Sequence, residues 1–160
     1  MYDDLKWLER TIELADEAAA EGNHPFGAVL VDADGSVMAE GKNEFLVDRG
    51  PGHAETNLAR RAAREFEPEV LRDATLYTSV EPCCMCSGTI YWAGIGAVVF
   101  GMTEARLAEL TGDDPLNPTQ DLDCRTVFAA GRTPVVVRGP YDELEDRIVA
   151  QHRAFWTSGA

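Results

Sequence analysis

Basic residues are scarce in this sequence: 14 Lys and Arg stand against 28 Asp and Glu, and the formal net charge of the 160 residues is −14. Such a chain repels polyanions, because nucleic-acid affinity depends heavily on Lys and Arg that neutralise phosphates. We therefore do not expect a nucleic-acid partner, and a small uncharged molecule fits the composition better.

Long hydrophobic runs are lacking as well, and none approaches the ~18 residues that a membrane-spanning helix needs. The first ten residues, MYDDLKWLER, carry charges where a signal peptide has an apolar core. The sequence also has no low-complexity segment and no internal repeat. We expect a cytoplasmic protein without a membrane partner, folded as one domain over residues 1–160.

Cysteine is limited to four residues, three of which lie at positions 83, 84 and 86. In a chain without signs of secretion, C-x-x-C is better interpreted as metal-binding or redox-active than as part of a disulfide framework. Cys83 and Cys86 would share one face in the first turn of a helix, where the dipole favours thiolate. Together with His53 they offer one imidazole and two thiolates, a ligand set that suits zinc.

Apolar periodicity predicts alternating helices and strands. The predicted helices cover residues 3–21, 53–65, 83–92, 104–110 and 141–156, and the predicted strands cover 28–31, 37–41, 76–80, 97–100 and 135–137. The first two strands form a hairpin around Asp34-Gly35. Residues 43–52 are predicted as a loop and 111–123 as an irregular polar stretch. This alternation predicts a sheet covered by helices on both faces.

Glu55, two residues after His53, decides between a structural and a catalytic metal site. A structural zinc is closed by a fourth protein ligand, whereas a catalytic zinc keeps that position for water. Glu55 could face this water and move its proton, or it could be an ordinary capping or exposed glutamate. The cysteines could also form a redox-active C-x-x-C pair, or a closed zinc site with Cys84 or Cys124 as the fourth ligand.

Two motifs, His53-Ala54-Glu55 and Pro82-Cys83-Cys84-Met85-Cys86, match the H-x-E and P-C-x-x-C signature of zinc deaminases. With the segments HPFGAV from residue 24 and LYTSVEPCCMCSGTIYWAGIGAVVFG from residue 76, the sequence resembles the cytidine deaminase superfamily over nearly its whole length. It resembles most the branch that holds bacterial guanine deaminases, yeast-type cytosine deaminases and tRNA adenosine deaminases. Two departures are Cys84, where proline or a small residue is common, and Thr56-Asn57-Leu58, where a Val-x-Ala-Ile pattern is more usual.

The resemblance implies a three-layer α/β/α sandwich around a mixed five-stranded sheet, and a homodimer. It implies one Zn²⁺ per chain, bound by His53, Cys83 and Cys86, with Glu55 as the catalytic proton shuttle. The reaction implied is hydrolytic removal of an amino group from a small amino-heterocycle, with release of ammonia.

Substrate contacts are expected from further residues, with a guanine-like purine or an amino-triazine favoured over cytosine and nucleosides. Asn43 would hold a polar edge of the ring, an acidic residue would reach the base from the loop after the fourth helix, and aromatic side chains would form the walls and the closing end of the pocket. The expected substrate-binding residues are Asn43, Phe26, Ala54, Trp92, Asp113, Asp114, Phe155 and Trp156.

Packing, turn and loop roles are possible instead for several of these residues. Editing of a tRNA adenosine would use the same zinc machinery, but the acidic residues in 141–160 and the net charge of −14 disfavour it. A zinc-stabilised interaction module without catalysis is the alternative from a different functional class.

Overall fold

A mixed five-stranded sheet lies between two layers of helices in the computed structural model, which describes residues 3–156. The strands are β1 Gly27–Val31, β2 Val37–Lys42, β3 Thr75–Val80, β4 Ala97–Met102 and β5 Val136–Arg138. The helices are α1 Asp4–Ala20, α2 Phe45–Asp48, α3 Ala54–Glu65, α4 Pro68–Asp73, α5 Cys84–Ala93, α6 Glu104–Thr111, α7 Cys124–Ala129 and α8 Asp142–Trp156.

The strand order is β2-β1-β3-β4-β5. β1 pairs antiparallel with both β2 and β3, with Val29 opposite Glu40 on one side and Tyr77 on the other. β3, β4 and β5 run parallel to one another. The three-layer sandwich with a mixed sheet is thus confirmed.

Buried side chains of the sheet alternate between two cores, as period-two strands require. Leu30, Leu76 and Val98 face the core that contains α3 and α5, whereas Val29, Tyr77 and Val99 face the core that contains α1, α6 and α8. β1, β3 and β4 are buried on both faces because helices cover both, which explains the continuous apolar runs of β1 and β4.

The predicted strands and the five predicted helices are confirmed, with boundaries that differ by one or two residues. Three short helices were not predicted: α2 within the expected loop 43–52, α4, and α7. They have four to six residues each, which is too short for an apolar period to show. Within residues 3–156, no helix combines the length and the apolar character needed to cross a membrane.

Gly41 allows β2 to lie directly against the start of α3. A Cβ atom at this position would come within 2.9 Å of the Ala54 carbonyl oxygen and 3.0 Å of Leu58 Cβ. The glycine therefore permits the close approach that fixes the N-terminal end of α3, where His53 and Glu55 lie.

Candidate active site

The N-terminal ends of α3 and α5 bring three metal-ligand side chains together. His53 is the N-cap residue of α3, Cys83 is the N-cap residue of α5, and Cys86 lies in the first turn of α5. The Nδ1 atom of His53 lies 3.5 Å from Cys83 Sγ and 3.4 Å from Cys86 Sγ. Zinc bonds of about 2.3 Å to sulfur and about 2.0 Å to nitrogen, at tetrahedral angles, place these atoms about 3.5 Å apart. The donor set and its spacing therefore fit zinc.

The pKa values of the two thiols, which shift in opposite directions, also fit a metal site. The pKa of Cys83 is lowered to about 4, mainly by a hydrogen bond from Cys86 and also by the neighbouring His53. Burial acts in the opposite direction. Burial and the adjacent Cys83 raise the pKa of Cys86. Two thiolates side by side repel each other, and a dication between them would stabilise both.

The other two cysteines lie apart from this group. Cys124 begins α7 and its sulfur lies with carboxylates of Glu81 and Asp123 instead. Cys84 follows Cys83 on α5 and is not part of the group formed by His53, Cys83 and Cys86. A closed site with Cys84 or Cys124 as the fourth ligand therefore finds no support in this arrangement.

Glu55 is buried in the same cavity wall, with 4% of its surface exposed. The hydroxyl of Thr78, on β3, donates a hydrogen bond of 2.6 Å to Glu55 Oε1. Burial raises the pKa of Glu55, while His53 and Thr78 act in the opposite direction. A buried carboxyl with a raised pKa beside a metal-ligand group suits general acid–base chemistry near neutral pH.

A cavity of about 400 Å³ opens from this cluster and continues into a narrow inner space beside Glu55. Phe26 lines the inner space, and its ring lies nearly parallel to that of His53 with centroids 6.3 Å apart. Glu104 and Asn117 line both spaces. The cavity thus combines an aromatic wall with polar groups, as sites for flat heterocycles do.

Glu104 is the acidic wall of the cavity. It is 8% exposed, and its carboxyl oxygens form no hydrogen bond with the residues that the structure describes. Burial raises its pKa to about 8, and the negative charges of Cys83, Glu55 and Glu81 add to this effect. An unpartnered carboxyl at a cavity wall is available to a ligand that donates hydrogen bonds.

Glu81 positions this wall. One of its carboxylate oxygens accepts the backbone N–H of Glu104 at 3.1 Å, and the other accepts that of Cys124 at 2.8 Å. The residue directly after β3 therefore fixes the starts of α6 and α7 beside the metal-ligand group.

Asn43 holds the turn at the rim of the cavity. Its side-chain oxygen accepts the backbone N–H groups of His24 at 3.2 Å and Phe45 at 2.9 Å. The rings of His24 and Phe45 stack with centroids 4.2 Å apart, and both line the cavity. Asn43 thus makes the turn contacts that were the alternative to its expected substrate contact, and its amide nitrogen has no hydrogen bond within residues 3–156.

The other predicted substrate residues differ in how they lie relative to the cavity. Phe155 and Trp156 pack against the His24 ring, with centroids 5.6 and 4.8 Å away, so the aromatic C-terminal end does reach the rim. Asp114 lies close enough to His24 to act on its pKa, but its carboxylate accepts the backbone N–H of Leu116. Ala54 is fully buried in the core around α3.

Trp92 and Asp113 lie outside the cavity in this chain. Trp92 is 86% exposed on α5, and its ring contacts Tyr91 rather than the cavity. Asp113 is exposed, because the chain turns after Gly112 and presents Leu116 to Gln120 to the cavity instead. The acidic side chain at the cavity comes from Glu104, at the start of α6.

Sequence reasoning missed Thr78, Glu81, Glu104 and Asn117. Thr78 had a usable signal, since it is a polar residue two positions after Leu76, on the strand face toward α3. Asn117 had none, because the irregular segment around it has no period that predicts where a side chain points.

The comparisons with known proteins agree with this geometry. Residues 1–102 match the family described as cytidine and deoxycytidylate deaminase zinc-binding region. A probable cytosine deaminase of Schizosaccharomyces pombe is 36% identical over 159 residues, which cover 98% of this chain and 94% of that protein. A guanine deaminase of Bacillus subtilis is 42% identical over 110 residues, 68% of this chain and 70% of that one.

Among solved structures, a guanine deaminase from Nitrosomonas europaea superimposes with a TM-score of 0.73, at 23% identity, over 94% of this chain and 83% of that chain. This likeness shows that the two proteins share a fold. Because the family match covers residues 1–102 and the yeast relative covers almost the whole chain, this protein belongs to the cytidine deaminase superfamily.

Proposed function

We propose that this protein is a zinc-dependent hydrolase that replaces the amino group of a free nucleobase or related amino-heterocycle with oxygen and releases ammonia. The observation that carries the proposal is the placement of Glu55. Its buried carboxyl, held by Thr78, shares a narrow cavity with His53 and Cys83. A structural zinc site has no use for a buried acid at this position.

The residues have separate tasks in the proposed reaction. His53, Cys83 and Cys86 would hold zinc, which supplies a water activated near neutral pH. Glu55 would take up one proton from the attacking water and deliver it to the ring nitrogen next to the amino-bearing carbon, while the water oxygen bonds to that carbon. The remaining proton of the water would pass through Glu55 to the amino group, whose bond to carbon breaks as ammonia leaves, so that one water is consumed for each ammonia formed.

Substrate orientation is assigned to the aromatic and acidic walls. Phe26 offers a flat face beside His53, and Glu104 offers an acceptor to ring N–H and amino groups. Guanine-like purines and amino-triazines carry several such donors, which is the reason for favouring them. Cytosine is the second candidate, because the relative from Schizosaccharomyces pombe that matches 98% of this chain is named a probable cytosine deaminase.

A tRNA substrate is disfavoured by the net charge of −14. Assembly as a homodimer and a cytoplasmic location stay predictions. A wall role for Trp92 also stays a prediction, and it would require that another chain supplies this side chain.

Ammonia release by zinc-loaded protein tests the proposal, with guanine, isoguanine, ammeline, cytosine, guanosine and cytidine offered separately at equal concentration. We expect guanine or ammeline to give the highest kcat/KM, because a pocket built around one hydrogen-bond pattern rejects its competitors by up to ~10⁴-fold. Preferred turnover of cytosine would replace the purine assignment with the second candidate. Zinc-loaded protein that releases ammonia from none of the six would contradict the proposed function.

A further inference from the structure

Thr56 contacts the metal-ligand group from outside it. Its hydroxyl donates a hydrogen bond of 3.2 Å to Cys86 Sγ, across from α3 to α5. Both residues are buried, Thr56 with 9% and Cys86 with 0% of its surface exposed. This contact lies where water cannot substitute for the hydroxyl.

The direction of this hydroxyl is unusual for a helix. Helical threonines ordinarily donate to a carbonyl one turn earlier. Thr11, Thr89 and Thr111 do so in this chain, with bonds to the carbonyls of Leu8, Met85 and Leu107. Thr56, in the first turn of α3, instead bonds a sulfur 30 residues away in sequence, on α5.

Cys86 is the ligand that needs such a donor. Cys83 borders the cavity, whereas Cys86 is fully enclosed. Cys83 and Glu55 can only accept a hydrogen bond from the Cys86 thiol, whereas Thr56 donates one to Cys86 Sγ from outside the metal-ligand group. A buried thiolate without a donor is costly, since its charge has neither water nor a polar partner.

We propose that Thr56 is a positioning residue of the metal site, whose hydroxyl stabilises the Cys86 thiolate and thereby raises the affinity of the site for zinc and reduces electron donation from sulfur to the metal. The inference rests on the proposed function for the presence of zinc, but it is independent of the substrate. It deepens that function by adding to the three ligands a fourth residue that sets their properties. Outer partners of metal ligands typically change metal affinity by about 10- to 100-fold when removed.

Thr56→Val tests the proposal, because valine keeps the β-branched shape and removes the hydroxyl. We expect its zinc dissociation constant, measured by competition with a chromophoric chelator at constant pH, to rise about 10- to 100-fold. Thr56→Ser, which restores the hydroxyl, and Thr89→Val, which removes a hydroxyl bonded to its own helix, are expected to stay near wild type.

The absorption spectrum of cobalt-loaded protein is a second measurement, because a packing defect alone would not shift its charge-transfer band. Without the hydrogen bond the sulfur electrons are held less tightly, so the sulfur-to-cobalt charge-transfer band of Thr56→Val is expected at longer wavelength, with Thr56→Ser back at the wild-type position. Wild-type protein that binds one zinc while Thr56→Val shows unchanged affinity and an unchanged band would overturn this inference alone. Wild-type protein that binds no zinc would overturn it together with the proposed function.

Discussion

At the scale of single residues, Thr78 decides how Glu55 is held. The hydroxyl has one proton and two acceptors within reach, Glu55 Oε1 at 2.6 Å and the Val80 carbonyl oxygen at 3.0 Å. Donation to Glu55 fixes the carboxylate beside His53, and a hydrogen bond to a charged group contributes about 1.5–3 kcal/mol.

Thr78→Val should therefore lower kcat by about 10- to 100-fold while KM stays close to wild type, because Thr78 orients the proton carrier and does not touch the substrate. Steady-state kinetics on the best substrate measures this split. Thr75→Val, on the same strand but away from Glu55, is the matched control. An increase in KM with kcat unchanged would contradict the role given to Thr78.

His24 links the site to pH-dependent stability. Burial, and then the charge of His53, lower its pKa to about 4, with Asp114 acting in the opposite direction. A histidine whose folded pKa lies below the unfolded value of about 6.5 contributes stability above that value, and the contribution is lost as pH falls toward the folded pKa.

His24→Phe keeps the stacking on Phe45 but cannot take up a proton. Between pH 7 and pH 5 the wild type is expected to lose about 2 kcal/mol more free energy of unfolding than this variant. Urea denaturation at saturating zinc measures the difference, since contributions from the metal ligands cancel between the two proteins. Equal losses in both would show that His24 is not buried as a neutral group.

Some of the site residues could be predicted from the sequence, and others could not. His53, Cys83, Cys86 and Glu55 were predicted to meet because their spacing placed them at helix starts, and the structure brings them together. Thr56 and Thr78 bond partners that are distant in sequence, at positions 86 and 55. The strand period places Thr78 on the face toward α3, but no pattern in the sequence identifies the partner of a single hydroxyl.

At the scale of elements, the long helices and central strands were predictable and the connections were not. α1, α3 and α8 have clear apolar periods, and β1 and β4 are continuous apolar runs. The segment from Gly112 to Asp123 has neither, yet it supplies much of the cavity rim. Asp113 was expected at the cavity from the resemblance, but Asn117 lines it instead. The scaffold fixes only the ends of such a loop, so the sequence does not predict which of its side chains faces the cavity.

The start of α6 carries the acidic wall, and Glu104→Gln tests its role in orientation. Glutamine puts an amide NH₂ in place of one carboxyl oxygen, and the loss of this acceptor for substrate N–H groups should lower kcat/KM by about 10- to 100-fold, mainly through KM. Glu109→Gln, on the exposed side of the same helix, is the control. Glu104→Gln should be at least as stable as wild type, because it removes a carboxyl whose ionisation is opposed by burial and by nearby negative groups. Unchanged KM on every active substrate would contradict the assignment.

At the scale of the whole molecule, the composition alone favoured a small-molecule substrate over a nucleic acid. The net charge of −14 argued for a small substrate, and the two apolar faces of the sheet agree with helices on both sides. The unity of residues 1–160 as one domain stays a prediction, and a homodimer does too. Trp92 is exposed and lies outside the cavity, so that a wall role for it requires a second chain.

The most direct test of the central claim compares ammonia release by wild-type protein and Glu55→Gln, each loaded with zinc and with its metal content measured. Glutamine nearly keeps the volume and the acceptor for Thr78 but cannot carry the proton. The account predicts one zinc per chain in both proteins and a loss of turnover of about 10²- to 10⁴-fold or more in the variant. Retained turnover in zinc-replete Glu55→Gln would contradict the claim that Glu55 moves the proton in this site.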